Sequence, residues 1–241
     1  MRNKTVGELV AEKPMSARIF DEARIDFCCG GNLTLEQACE KAGVSLDSML
    51  ARLEQCEVGS DNGVDWNNVT LTELIDHIEK THHVYVKSEL PRLVALATKV
   101  ARVHGERAPE MVELAEVFLR FKEEQEQHTM KEEMVLFPYI RSLESEPAPS
   151  APPFGTVANP IACMEGEHDN AGMVLAKMRL LTGDYSAPED ACGSWKALVG
   201  GLASLDLDLR THVHKENSIL FPKAILLEKR MLSASSQAKP R

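Results

Sequence analysis

An all-α protein, with a small helical domain ahead of a larger helical bundle, is the fold class the sequence predicts, and three observations carry it. Aromatic residues make up only 5% of the chain, and the long stretches are rich in Leu, Ala, Glu and Lys, which favour helix over sheet. From about residue 70 onward, apolar residues recur at helical spacing through four long segments. An eleven-residue pattern is also written twice, His128 to Pro138 and His212 to Pro222, with six identical positions.

The chain has 241 residues, 44% of them hydrophobic and 27% charged, enough for a sizeable core and against broad disorder. A net charge of -10 argues against nucleic acid as a partner, because phosphate binding needs a basic surface. Neither a signal-peptide-like apolar run nor a stretch of membrane-span length is present, so a cytoplasmic protein with no membrane partner is expected. The six cysteines form no Cys-x-x-Cys pair and no compact disulfide framework, which fits reduced thiols.

Residues 1–57 read as short helices around a sharp turn. Val6, Leu9 and Val10 give one apolar face, and Ile19, Phe20 and Ala23 another. Cys28-Cys29-Gly30-Gly31 interrupts the pattern, Thr34 to Gln37 has capping-box spacing, and Ser45 opens a further helix. Residues 58–69 read as a linker, polar and Gly-containing in its first half. The bundle is expected over 70–230. Its first helix spans about Thr70 to His104 with a bend at Pro91 and a stop at Gly105, and its second spans Pro109 to Leu143. A Pro-rich connection follows from Ser145 to Pro160, then a third helix to Leu181 and a fourth from Pro188 to Glu228. Four amphipathic helices with such connections are satisfied as an antiparallel bundle. Residues 231–241 read as a flexible tail.

In each repeat a His and a Glu stand four residues apart, His128 with Glu132 and His212 with Glu216, on one helix face. An exposed pair of this kind contributes tenths of a kcal/mol. These pairs lie in apolar stripes: Phe121, Gln125, His128, Glu132, Val135 and Tyr139 in one, and Leu205, Leu209, His212, Glu216 and Ile219 in the other. A carboxylate buried there needs a cation. Helix three offers His168. Helix one offers His82 or His83, because its apolar face drifts: the early stripe centres on His82, the later one on His83. His77 lies off both. Four imidazoles and two carboxylates suit iron or manganese better than calcium or magnesium, with zinc as the alternative.

Several elements together resemble the RIC family, the repair of iron centres proteins with a hemerythrin-like second domain. They are Asp26-Phe-Cys-Cys-Gly-Gly31, Ile75-Asp-His-Ile78 with His83 and Leu90-Pro91, both His-x-x-x-Glu repeats with Leu-Phe-Pro, and Met164-Glu-x-Glu-His168-Asp169. The resemblance covers nearly the whole chain. It implies a hemerythrin-like four-helix bundle holding two non-haem irons, joined by an oxo or hydroxo group. The implied ligands are His83, His128, His168 and His212, with Glu132 and Glu216 bridging; His83 is preferred over His82 on this ground. It implies repair of iron-sulfur clusters damaged by nitrosative or oxidative stress, damaged iron-sulfur proteins as clients, nitric oxide or oxygen as small ligands, and a monomer or homodimer. Gly172 stands where oxygen carriers have a second helix-three histidine, and Asn217 where they bridge through aspartate, so a more exchangeable site than a carrier's is expected.

The turn around Cys28 and Cys29 reads two ways, as a buried structural turn or as a site where backbone amides lower a thiol pKa. The resemblance favours function and marks both thiols as reactive. Cys39, Cys56, Cys163 and Cys192 read as core fillers, His104 as a partner of a helix carboxyl end, and His214 as exposed. Asp169 and Glu165 are expected to orient ligand histidines. Two other functions stay open: sensing or reduction of nitric oxide or oxygen, and a ferritin-like oxidase built on Glu79-x-x-His82 and Glu165-x-x-His168, which leaves His128 and His212 without a task.

Overall fold

The computed structural model describes residues 1–55, 64–145 and 152–237, with side chains described to 233. The expected linker at 58–63, Cys56, and part of the Pro-rich connection lie outside these residues. Among the described residues there is no strand, and an isolated bridge pairs Thr5 with Thr34. The helices are α1 (Val6–Glu12), α2 (Ser16–Glu22), α3 (Leu35–Ala42), α4 (Leu46–Gln55), α5 (Leu71–His77), α6 (Val84–His104), α7 (Glu110–Lys131), α8 (Phe137–Ser145), α9 (Ala158–Leu181), α10 (Gly193–Lys215) and α11 (Phe221–Gln237). No described helix is long and apolar enough to cross a membrane. Helix α11 runs on past 230, into the stretch read as a tail.

The chain divides into two compact units, one of Met1–Asp76, Pro138–Glu165 and Arg210–Arg241, the other of His77–Phe137 and Gly166–Leu209. In the first, capping boxes start α1 at Thr5 with Glu8 and α3 at Thr34 with Gln37, each satisfying two amides that a helix start leaves over. Gly43, at φ 69°, closes α3 in the left-handed conformation a glycine adopts without cost. Val6, Leu9, Phe20, Phe27, Leu35 and Leu53 form the core of this unit, and Val213 of α10 belongs to it. Gly31 belongs here because its neighbours leave no room: a Cβ would sit 2.7 Å from the Phe27 carbonyl oxygen, and its own carbonyl accepts the Gly7 amide at 2.9 Å. Gly31→Ala is therefore expected to lower stability by about 1–3 kcal/mol, read as a lower thermal midpoint by circular dichroism.

In the second unit, α6 and α7 join through a short turn after Gly105 and pack together with α9 and α10 around Leu90, Leu93, Leu114, Phe118, Met178 and Leu202. Gly201 lets α10 come close to α6, since a Cβ there would lie 2.4 Å from Leu93 Cδ2. Pro91 sits inside α6 without ending it. It is exposed, as is Lys87, whose carbonyl loses its α-helical donor because proline has no N–H.

Among the described residues, three π-helical turns, Ile78–His83, Glu132–Leu136 and Glu216–Leu220, interrupt the long helices. In both repeats the wide turn starts at the Glu and closes with a bond from the Phe amide back to the Glu carbonyl, Phe137 to Glu132 and Phe221 to Glu216. Pro138 and Pro222 follow directly; their rings cannot lie against an α-helical carbonyl four residues back, and the widened turn makes room. Each inserted residue rotates the inward face by about 100°. The expected stripe therefore fails beyond Glu132: Val135 is 46% exposed, and Leu136 and Ile140 point inward in its place. The same insertion explains helix one, where Leu71, Ile75, Ile78 and His82 are buried on one side of the slip and His83, Val86, Leu90, Leu93 and Ala97 on the other.

Candidate metal centre

All six expected ligands are buried, with Glu132 and Glu216 fully so and His83, His128, His168 and His212 no more than 4% exposed. In the second unit, His83 Nε2 lies 3.3 Å from Glu132 Oε2, and His128 Nε2 lies 3.4 Å from Glu132 Oε1. His168 Nε2 is 3.1 Å from His128 Nε2, and donor atoms of His128, Glu132 and His168 all fall within 4.8 Å of one another. In the first unit, His212 Nε2 stands 2.9 Å from Glu216 Oε1.

The outer ring nitrogens explain why these inner ones suit a cation. His83 Nδ1 donates to Glu133 at 2.8 Å, and His128 Nδ1 donates to Glu167 at 2.8 Å. That fixes the tautomers and leaves the Nε2 lone pairs facing the oxygens of Glu132. Lone pairs on nitrogen and carboxylate oxygen repel at this range unless a proton or a metal ion lies between them, and neutral imidazoles facing a carboxylate are a donor set that fits a metal ion. Burial alone would raise the Glu133 carboxyl. Hydrogen bonds from Lys87 and His83 outweigh it, and its pKa falls below the usual carboxylate value. Glu167 behaves alike, with Lys131 and His128 overcoming burial.

Sequence reasoning missed both carboxylates. Asp169 and Glu165, expected in this role, are exposed. Each correct residue is the immediate neighbour of a ligand, Glu133 after Glu132 and Glu167 before His168, and a carboxylate adjacent to a ligand on a helix was the available signal. Glu133→Leu is expected to weaken iron binding about 10–100-fold, measured by competition against a coloured chelator. His82 is also buried and its Nδ1 likewise pairs with a carboxylate, Asp208 Oδ1 at 2.8 Å, but among the described residues it does not join the groups of converging donor atoms that hold His83 and His128. Exposure of Glu165 counts against the ferritin-like arrangement.

In the cysteine turn, which lies in the first unit, Cys28 is buried, Cys29 half-buried and Asp26 exposed. The Cys28 and Cys29 amides, which could have lowered a thiol pKa, both donate to Asp26 Oδ1, at 3.0 and 3.1 Å. The Cys28 thiol donates to the same oxygen at 3.1 Å, and its sulfur lies 3.9 Å from that of Cys29. The hydrogen bond with Cys29, burial and the Asp26 charge push the Cys28 thiol well above its ordinary value, with Arg210 pulling weakly the other way. Cys28 is thus held as a neutral thiol. Its turn rests on the stretch of α10 and the following π turn that carries His212 and Glu216. Phe27 meets the His214 ring edge-on at 6.1 Å, and a Cβ on Gly7 would meet both the Gly31 carbonyl and Ser218 Oγ at 2.9 Å.

His214 is not exposed but 3% accessible, and neither ring nitrogen has a hydrogen-bond partner among the described residues. Burial lowers its pKa to about 4, the Phe27 backbone opposes that, and the Lys215 charge adds to the lowering. Among the described cysteines expected in the core, Cys39 is buried, whereas Cys163 and Cys192 are exposed.

The hemerythrin HHE cation binding domain family matches residues 74–224, and a domain of unknown function, ScdA_N, matches residues 2–57. An iron-sulfur cluster repair protein YtfE of Yersinia pseudotuberculosis serotype IB is 37% identical over 225 residues, covering 93% of this chain and 97% of the relative. Its namesake in Enterobacter sp. strain 638 is 38% identical over the same shares. With both domain families in order and similarity along nearly its whole length, the chain belongs to the RIC family of iron-sulfur cluster repair proteins with a hemerythrin-like bundle.

Proposed function

We propose that this protein repairs iron-sulfur clusters damaged by nitrosative or oxidative stress, with iron as its cargo. His83, His128, His168 and His212 would hold two irons, with Glu132 and Glu216 shared between them. The observation that carries this reading is the orientation of the imidazoles: Glu133 and Glu167 take the outer ring protons of His83 and His128, so that neutral nitrogens face a fully buried carboxylate. Bound iron there supplies an exchangeable, redox-active cation. The chain's own part is to keep the imidazoles in their binding tautomer, to exclude water from Glu132 and Glu216, and to return protons to the histidines as iron leaves. Cys28 and Cys29 would guide iron toward a damaged cluster. Cys28 must give up its proton to Asp26 or solvent before it can bind a cation, so transfer is gated by that proton.

A second reading, capture of nitric oxide or oxygen, draws support from a cavity of about 520 Å³ lined by Gln125, His128, Lys131, Glu167, Asn170 and Val174, which brings His128 within reach of small molecules. The experiment that separates the two starts from anaerobically purified protein with its iron, zinc and manganese counted. This protein is then incubated with a nitrosylated or oxidised iron-sulfur enzyme whose activity is followed. Near two irons per chain and recovered enzyme activity support repair. Zinc alone, or iron without recovery, refutes it. Wild-type recovery by Cys28→Ser/Cys29→Ser protein removes the cysteines from the mechanism.

A further inference from the structure

A second site for cysteine chemistry lies in the other unit, at the start of α10. Cys192 precedes that helix, and its carbonyl accepts the amides of Trp195 and Lys196 at 3.0 and 3.1 Å. Cys192 is an exposed residue, whereas its partner is not: His104, the last residue of α6, is 8% accessible, and its Nε2 lies 3.2 Å from Cys192 Sγ. Arg107 NH2 donates to the other ring nitrogen, Nδ1, at 3.3 Å. A guanidinium has no lone pair to offer, so Nδ1 is the acceptor and the neutral ring carries its proton on Nε2. The imidazole therefore donates to the sulfur and leaves the thiol's own proton toward solvent. Trp195, with its ring centroid 5.0 Å from that of His104, holds the imidazole in place.

From this arrangement we propose that Cys192 is a reactive thiol, one that takes up small-molecule disulfides. Three features surround the sulfur: the His104 N–H, the Arg107 guanidinium behind the ring, and the amino terminus of the 23-residue helix α10. Asp190, 3.2 Å from Arg107, offsets part of that charge, and Lys196 lies one turn into the helix. In the step, the Cys192 thiol loses its proton to solvent and the thiolate attacks one sulfur of the disulfide. A Cys192 S–S bond forms, the original S–S bond breaks, and the departing thiolate takes a proton from solvent. Cys192 is oxidised and one equivalent of small thiol is released reduced. This chemistry does not depend on the bundle's iron or on cluster repair.

The test uses the full-length protein and its own cysteines as controls. Timed iodoacetamide labelling, read by peptide mass spectrometry, compares Cys192 with Cys163, which is also exposed, and with buried Cys28. Cys192 is expected to react about tenfold faster than Cys163 at neutral pH, and glutathione disulfide is expected to add its glutathionyl group to Cys192 first. His104→Phe keeps a ring against Trp195 and removes the N–H; it is expected to bring the two rates within about twofold. Arg107→Gln, at an exposed position, should slow Cys192 labelling by less and serves if the histidine variant misfolds. Equal rates for Cys192 and Cys163 in the wild type, or a Cys192 rate unmoved in both variants, would overturn the proposal.

Discussion

Glu132→Leu is expected to abolish iron binding and, in the metal-free protein, to raise the thermal midpoint. The two signs have one cause. Glu132 is fully buried, and both imidazoles near it present lone pairs because Glu133 and Glu167 hold their outer protons. With iron bound, the carboxylate is matched by a positive charge and the ligand's affinity adds to folding stability. Without iron it is a buried charge whose desolvation the neighbouring rings offset only if one of them protonates. Replacing such a group with a hydrophobic side chain of similar volume stabilises by about 1–4 kcal/mol. Iron analysis and thermal unfolding, each with and without a chelator, check both halves. A variant that retains iron removes Glu132 from the site, and a metal-free variant that melts below wild type shows that Glu132 is a structural ion-pair member.

How far the sequence could be read is best judged at the repeats. The spacing of His128 with Glu132 and His212 with Glu216 was enough to place both pairs inside, because burial of a carboxylate at helical period is visible in one dimension. Their continuation is not legible in the same way, since an unbroken α-helical period puts Val135 and Tyr139 on the inward face. Leu-Phe-Pro carried the missing information: a proline six residues after each Glu marks the wide turn, and with one extra residue counted the stripe passes to Leu136 and Ile140. The ambiguity between His82 and His83 has the same origin, for both are buried on either side of a phase slip. What stayed hidden depends on contacts far apart in sequence. His83 meets Glu133 across 50 residues, His128 meets Glu167 across 39, and His104 meets Cys192 across 88. No local period announces such pairs. The cysteine turn has a different limit: of the two readings it allows, amides that stabilise a thiol lose their ground because Asp26, two residues before Cys28, takes both amides.

His214→Leu is expected to make the metal-free protein more resistant to acid. In the folded chain the ring is neutral, packed beside Phe27 with both nitrogens lacking hydrogen-bond partners, and burial holds its pKa at about 4 against an ordinary 6.5. The unfolded chain takes up a proton near 6.5, whereas the folded chain does so only near 4. Between those values the unfolded state binds more protons, so stability falls as pH falls through the window and the slope ends below the folded value. The full difference corresponds to about 3 kcal/mol, with each unit contributing roughly 1.4 kcal/mol. Leucine fills the same apolar space and cannot titrate, which should flatten that part of the curve and leave stability near neutral pH little changed. Urea unfolding of metal-free wild type and variant across the window measures the slope directly. Metal-free protein is required because iron bound at His212 and Glu216, two residues to either side, would add its own acid lability to both curves. Parallel slopes for the two proteins would mean that His214 is protonated in the native state, and that the turn bearing Phe27 and Cys28 opens to admit solvent well before the fold is lost.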